Sequence, residues 1–219
     1  MKDITTILFD LDGTLTDPKE GIIRCIQYAL DKMGTGTHDT DSLIWVIGPP
    51  LKTSFSKILD TSDEQILTNA IAHYRERFGD TGMYENILYP EIPEALETIR
   101  NTGRKIMLAT SKPEVYAVRI LEFMDIMKYF DVAYGSMMDG SLADKARLIE
   151  HIIARENLSP ENTMIIGDRK HDIMGGKANG IITAAVTYGY GTREELEEAG
   201  PDFIFDSMLE AAAFIKEKL

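Results

Sequence analysis

Apolar residues fall along this chain in two rhythms. Four short runs are almost continuously aliphatic or β-branched: TTILF at 5–9, KIMLAT at 105–110, TMIIG at 163–167 and IITAAV at 181–186. A segment around Val132 and DFIF at 202–205 repeat the pattern more weakly. Between them the spacing turns helical: Ala146, Ile149, Ile152 and Ile153 share one face, as do Met208, Ala212, Ile215 and Leu219. Runs without polar alternation predict strands buried on both faces, so the pattern implies an α/β fold with a Rossmann-like parallel sheet between helices. In such sheets ligands gather beyond the carboxyl ends of the strands.

The stretch 16–88 breaks this alternation. It holds no strand-like run, only helical patterns at Ile22–Met33, Leu43–Ile47 and Glu64–Phe78. Asp17-Pro18 punctuates one edge, and Tyr89-Pro90 and Ile92-Pro93 the other. The expected organisation is a core of 1–15 and 89–219 with a helical insert, 16–88, placed after the first strand.

The 219 residues suffice for one substantial domain with such an insert. A net charge of −13 argues against nucleic acid polymers and anionic membranes as partners. It also means that a site for a small anion needs concentrated local positive charge. Cys25 is the single cysteine, so no internal disulfide can form, which suits a reducing cytoplasm. Its neighbours Ile22, Ile26, Ala29 and Leu30 mark it as buried filler. No signal peptide or span of membrane length is expected.

The chemistry concentrates where two of the apolar runs end. ILFDLDGTLTD, residues 7–17, passes from core residues straight into Asp10 and Asp12. Strand alternation places those two on one side, Gly13 frees a tight turn, and Thr14 offers a hydroxyl and an amide to an anion. Alone, the pair also admits a plainer reading as a polar strand exit or a helix cap. IIGDRKHDI then ends a second run in Asp168, with Asp172 at the start of the following helix. If the two strands are neighbours, four carboxylates converge. Two like charges ~4 Å apart cost about 4 kcal/mol at an effective dielectric near 20, so protons or a cation must join them. An all-oxygen site suits Mg²⁺. His171 inside the second motif reads as an exposed helix residue, and His38, His73 and His151 lack metal-like spacing. The small residues of GGKANG (175–180) read as close helix–sheet packing.

DLDGT at 10–14, the hydroxyl pair closing KIMLATS, the lysine of ADKARLIE and GDRKHD at 167–172 occur in the order of the haloacid dehalogenase superfamily. The chain resembles a phosphatase of that superfamily with a helical cap. That resemblance implies Asp10 as nucleophile and Asp12 as general acid/base. It implies Mg²⁺ on the Asp10 side chain, the Asp12 main-chain carbonyl and the Asp168 side chain, with Asp172 ligating through water or orienting its neighbours. Thr110 and the Ser111 amide would bind phosphate alongside Gly13 and Thr14. Lys145 would pair with both phosphate and nucleophile, with Lys112 its rival as the site's cation.

VIGPPLKTSF (46–55) and YRERFGDTGMYENILYPEI (74–92) are similar to the phosphoglycolate phosphatase and 5′-nucleotidase-like branch. This implies that the cap, through Gly48 and Lys52, selects a small phosphorylated metabolite; the protein itself is expected to be a cytoplasmic monomer or homodimer. A phosphosugar mutase, a phosphonate hydrolase using Lys52, and a non-catalytic sensor are the competing expectations.

Overall fold

The computed structural model describes residues 4–36 and 39–218; His38 and Leu219 lie outside them. In chain order the elements are β1 (Thr6–Phe9), β2 (Thr16–Asp17), α1 (Lys19–Lys32), α2 (Leu51–Ile58), α3 (Glu64–Asp80) and β3 (Ile87–Leu88). There follow α4 (Ile92–Arg100), β4 (Lys105–Pro113), α5 (Glu114–Phe123), β5 (Val132–Ser136), α6 (Lys145–Glu156) and β6 (Thr163–Gly167). The chain closes with α7 (Lys170–Ala178), β7 (Ile182–Val186), α8 (Arg193–Ala199), β8 (Phe203–Phe205) and α9 (Met208–Lys218). It divides into two compact units, Met1–Asp17 with Leu88–Leu219, and Pro18–Ile87.

The first unit is built on a six-stranded sheet of order β5-β4-β1-β6-β7-β8. Every described pairing in it is parallel. β1 lies centrally, fully buried, between β4 and β6. That double covering is why its sequence reads as a continuous apolar run. The chain builds outward from β1 through β4 to β5, then restarts at β6 on the opposite side. This is the topological switch at which sheets of this type open a crevice. β1 and β6 run in register, Phe9 opposite Ile166, so the two acid-bearing exits end level with each other. On one face Leu8, Met107, Leu148, Ile149, Ile152 and Ile165 form a core cluster.

Two boundaries depart from the sequence pattern. β4 continues past 110 to Pro113, with a register shift between Thr110 and Pro113. The 16–88 stretch does contain strand: β2 and β3 form a two-stranded sheet of their own. Two residues per strand leave no apolar run for a pattern to register.

In the second unit Asp63 caps α3, its carboxylate accepting from the amides of Gln65 and Ile66. Phe55, Tyr74 and Phe78 form an aromatic core. Cys25 is buried, as expected, and its Sγ accepts from Arg77 at 3.3 Å. The pattern at 43–47 forms a 3₁₀ segment, Asp41–Val46, rather than an α-helix. Among the described residues no helix is long and apolar enough to cross a membrane.

Candidate active site

The β1 exit is shaped by its backbone. Asp10 continues the ladder, its amide donating to the Ile166 carbonyl at 3.0 Å. Leu15 and Thr16 then donate back to the Leu11 carbonyl, closing a tight turn. Gly13 sits at φ +88°, and a Cβ there would stand 2.2 Å from Asp168 Oδ2. Glycine is therefore required both for the turn and for the approach of Asp168. At the β6 exit Asp168 is fully buried. Asp172 lies in the first turn of α7, where its Oδ2 accepts from the Arg169 amide at 3.1 Å.

One ligand oxygen from each of Asp10, Asp168 and Asp172 lies within 4.8 Å of the others. Lys145 enters this group from the first position of α6, whose start is fixed by the Asp144 cap. Its Nζ lies 2.8 Å from Asp10 Oδ1 and 2.8 Å from Asp172 Oδ1, and donates to the Ala109 carbonyl at 2.8 Å. The contact with Asp172 is a buried ion pair at hydrogen-bonding distance. Lys112 lies on the other flank, 2.8 Å from Asp12 Oδ1 and 2.6 Å from Oδ2. The two lysines are thus not rivals. Each neutralises a different aspartate of the DLD motif, and both pairs are nearly excluded from solvent.

This burial governs the protonation equilibria. It lifts Asp12 above the usual carboxylate range, with Lys112 opposing it. Burial, then the charges of Asp10 and Asp172, push Asp168 up to about 8. Burial also raises Asp172 against the pull of Lys145. Burial works against the Lys145 ammonium, but Asp10 and Asp172 outweigh it and hold its pKa above the lysine range.

The expected residues separate into those gathered and those not. The Asp12 carboxylate stands apart from the three-carboxylate group, so convergence of four carboxylates is corrected to three. Thr110 is buried within β4 where its register begins to shift, its hydroxyl oxygen accepting from the Lys112 amide at 3.2 Å, and Ser111 beside it is half-buried. Thr14 departs from its expected service to an anion. Its hydroxyl donates to Asp168 Oδ1 at 3.1 Å and its amide to the Leu11 carbonyl at 3.3 Å. Gly48, at φ +104°, and Lys52, on α2 and paired with Glu64, belong to the helical unit. His171 is half-buried rather than exposed.

Sequence reasoning missed the loop after β7. The Tyr190 amide donates to Asp168 Oδ2 at 2.8 Å, and the Tyr188 hydroxyl donates to the Thr14 carbonyl at 2.6 Å. The Tyr190 hydroxyl donates to Asp17. The available signal was YGYG, aromatic and glycine alternating directly after a buried strand (188–191).

The donor set fits a divalent cation. Asp10, Asp168 and Asp172 supply hard carboxylate oxygens, and among the described residues Asp168 accepts from neutral donors, Thr14 Oγ1 and the Tyr190 amide. Across the site, Asp10, Asp12, Asp168 and Asp172 face Lys112 and Lys145, leaving two negative charges to be met by protons or by one M²⁺.

Paired aspartates at one strand exit, a second acidic exit beside it and a buried lysine between them make up the site of a hydrolase. The chain belongs to the haloacid dehalogenase-like hydrolases, whose family model matches residues 7–186. It is 44% identical over 195 residues to a 5′-nucleotidase of Pseudomonas aeruginosa, covering 89% of this chain and 88% of that one. It is 35% identical over 193 residues to the tyrosine-protein kinase PtkA of Mycobacterium tuberculosis, covering 88% of this chain but 65% of that protein. The chain thus spans about two thirds of PtkA. A solved structure described as a predicted phosphatase from Clostridium acetobutylicum superposes with a TM-score of 0.94 at 40% identity, covering 98% of this chain and 99% of that one.

Proposed function

We propose that this hydrolase is a Mg²⁺-dependent phosphatase of small phosphomonoesters, nucleoside 5′-monophosphates foremost and phosphoglycolate second, working through an aspartyl phosphate on Asp10. The observation that carries this reading is the buried group of Asp10, Asp168 and Asp172 with Lys145 ion-paired to the first and third. The 5′-nucleotidase relative supports the choice of substrate.

In the first half-reaction an Asp10 carboxylate oxygen attacks phosphorus. The bond from phosphorus to the ester oxygen breaks, and protonated Asp12 gives its proton to the departing alkoxide. In the second, Asp12 takes a proton from water as the water oxygen attacks phosphorus. The Asp10–phosphorus bond breaks, and inorganic phosphate leaves with Asp10 restored. Burial of Asp12 favours the proton it needs in the first step. Lys145 holds the nucleophile at 2.8 Å and supplies positive charge where phosphate oxygens would lie. Thr110 and Ser111, in the last part of β4, would complete the phosphate cradle. When bound, Mg²⁺ supplies positive charge against the phosphate and the carboxylates, and Asp10, Asp168, Asp172 and the Asp12 carbonyl would hold it.

The helical unit is proposed as the cap that selects the alcohol, with Gly48 and Lys52 as its specificity residues. The protein is proposed to act in the cytoplasm, as a monomer or homodimer. The test is a panel of nucleoside 5′-monophosphates, phosphoglycolate and hexose phosphates, with Mg²⁺ and with chelator, scored for inorganic phosphate. Turnover undiminished by chelator would reject the metal, and turnover retained by Asp10→Asn would reject the intermediate. The kinship with PtkA favours a second reading, in which the phosphoryl group on Asp10 passes to an acceptor other than water. A phosphorylated acceptor appearing in place of inorganic phosphate would establish it.

A further inference from the structure

The Asp168 carboxylate is gripped from two sides by segments far apart in sequence. On one side lies the β1 turn: Thr14 Oγ1 donates to Oδ1 at 3.1 Å, and a Cβ on Gly13 would reach within 2.2 Å of Oδ2. On the other lies the loop after β7. The Tyr190 amide donates to Oδ2 at 2.8 Å, a Cβ on Gly189 would fall 2.4 Å from that oxygen, and one on Gly191 would fall 2.1 Å from the Asp168 carbonyl. Both walls are glycine because the carboxylate is held at backbone distance.

The two walls are also tied to each other. The Tyr188 hydroxyl donates to the Thr14 carbonyl at 2.6 Å, so the residue whose hydroxyl holds Oδ1 is itself held by the opposite loop. The Tyr190 hydroxyl donates to Asp17, just beyond the same turn. Tyr89 packs edge-on against Tyr188, their ring centroids 5.1 Å apart, and fixes the ring that carries the first tie. The donors Thr14 Oγ1 and the Tyr190 amide are neutral, so the grip orients the carboxylate and leaves its charge for a cation.

We propose that Tyr188 and Tyr190 are positioning residues, which lock the β7 loop to the β1 turn and thereby set the orientation, and so the divalent-cation affinity, of Asp168. The proposal rests on the reading of Asp168 as a metal ligand. Groups that orient a ligand typically alter metal affinity by about 10–100-fold when removed.

The experiment measures Mn²⁺ binding to the metal-free full chain by electron paramagnetic resonance, for wild type, Tyr188→Phe, Tyr190→Phe, the double variant and Asp168→Asn. Tyr→Phe keeps the ring and removes only the tie. Each single variant is expected to bind Mn²⁺ about tenfold more weakly and the double variant more weakly still. KM at saturating metal and the thermal midpoint without metal are expected to stay near wild type. Asp168→Asn binding Mn²⁺ like wild type would overturn the metal-site reading itself. Asp168→Asn losing Mn²⁺ while both Tyr→Phe variants keep wild-type affinity would overturn this proposal alone. A merely structural role would lower the metal-free midpoint in step with affinity, and that outcome also overturns it.

Discussion

Lys145 and Lys112 in the sheet unit and Lys52 in the helical unit are the same side chain put to opposite uses. The first two are 4% and 5% exposed and paired with aspartates 8% and 12% exposed. Lys52 is 54% exposed and pairs with a Glu64 that is 75% exposed, 2.7 Å away. All three contacts are short, so distance does not separate them. Solvent does. An exposed pair exchanges its partner for water at almost no cost, whereas removing one member of a buried pair strands a charge in a low-dielectric interior. Lys145 and Lys112 are therefore held in one arrangement, whereas Lys52 can be re-paired at little cost.

The largest effect expected from this contrast is on turnover. Asp10→Asn keeps the shape of the side chain and removes the attacking oxygen's charge. We expect kcat to fall at least about 10⁴-fold, as when other enzymes lose their nucleophile. Lys145 retains Asp172 as a partner, so the melting curve should show a folded protein. Next comes Lys145→Met, which leaves Asp10 and Asp172 facing each other without their shared cation. The expected cost is about 3–5 kcal/mol in denaturant unfolding and about 10²–10³ in kcat. A Lys145→Met protein as stable and active as wild type would dissolve the distinction between the two kinds of lysine.

Asp10 could be picked out from the sequence because its motif is local, whereas Lys145 stood out only through the family resemblance. DLDGT lies in one turn, and GDRKHD spans one strand exit and one helix start, so each motif placed its carboxylates at a strand exit without reference to distant residues. The partners across the site were not legible in the same way. Lys112 reaches Asp12 only because β4 lies beside β1 and shifts register between Thr110 and Pro113. The sequence shows a lysine after two hydroxyl residues and nothing about that shift. Tyr188 and Tyr190 bear on Asp168 only because β7 pairs with β6. Thr14, in the motif itself, serves Asp168 through a hydrogen bond between residues 154 positions apart.

The buried charges also make a pH dependence that the exposed ones do not. Without a cation Asp168 is protonated up to about pH 8 in the folded state, while in the unfolded chain it ionises near 3.8. Its contribution is thus fully present below about pH 4 and is lost progressively as pH rises toward 8. The raised Asp12 and Asp172 act with the same sign. Chelator-treated protein should lose stability over that window by up to about 1.4 kcal/mol per pH unit for each carboxyl involved. Asp168→Asn should flatten the slope by one such group. Mg²⁺ added to the native protein at pH 7 should release protons, seen as a buffer-dependent heat in calorimetry, and should remove most of the slope. A metal-free protein whose stability rises from pH 5 to 8 would contradict the buried, cation-poor description of Asp168.

The smallest effect should come from Lys52. Replacing it with alanine breaks an exposed pair with Glu64, and unfolding should shift by less than about 1 kcal/mol. A residue so weakly held can serve a ligand because leaving Glu64 costs it little. If the helical unit chooses the substrate through residues 48–52, Lys52→Ala should raise KM for the preferred phosphomonoester about tenfold. kcat should stay within about twofold, the signature of binding lost equally from ground and transition states. Glu64→Gln separates the two roles: it frees Lys52 without removing it, so KM should stay level or fall. Lys52→Ala leaving KM unchanged across the whole panel would assign the pair to the surface alone, and specificity would then have to be sought elsewhere than in residues 48–52.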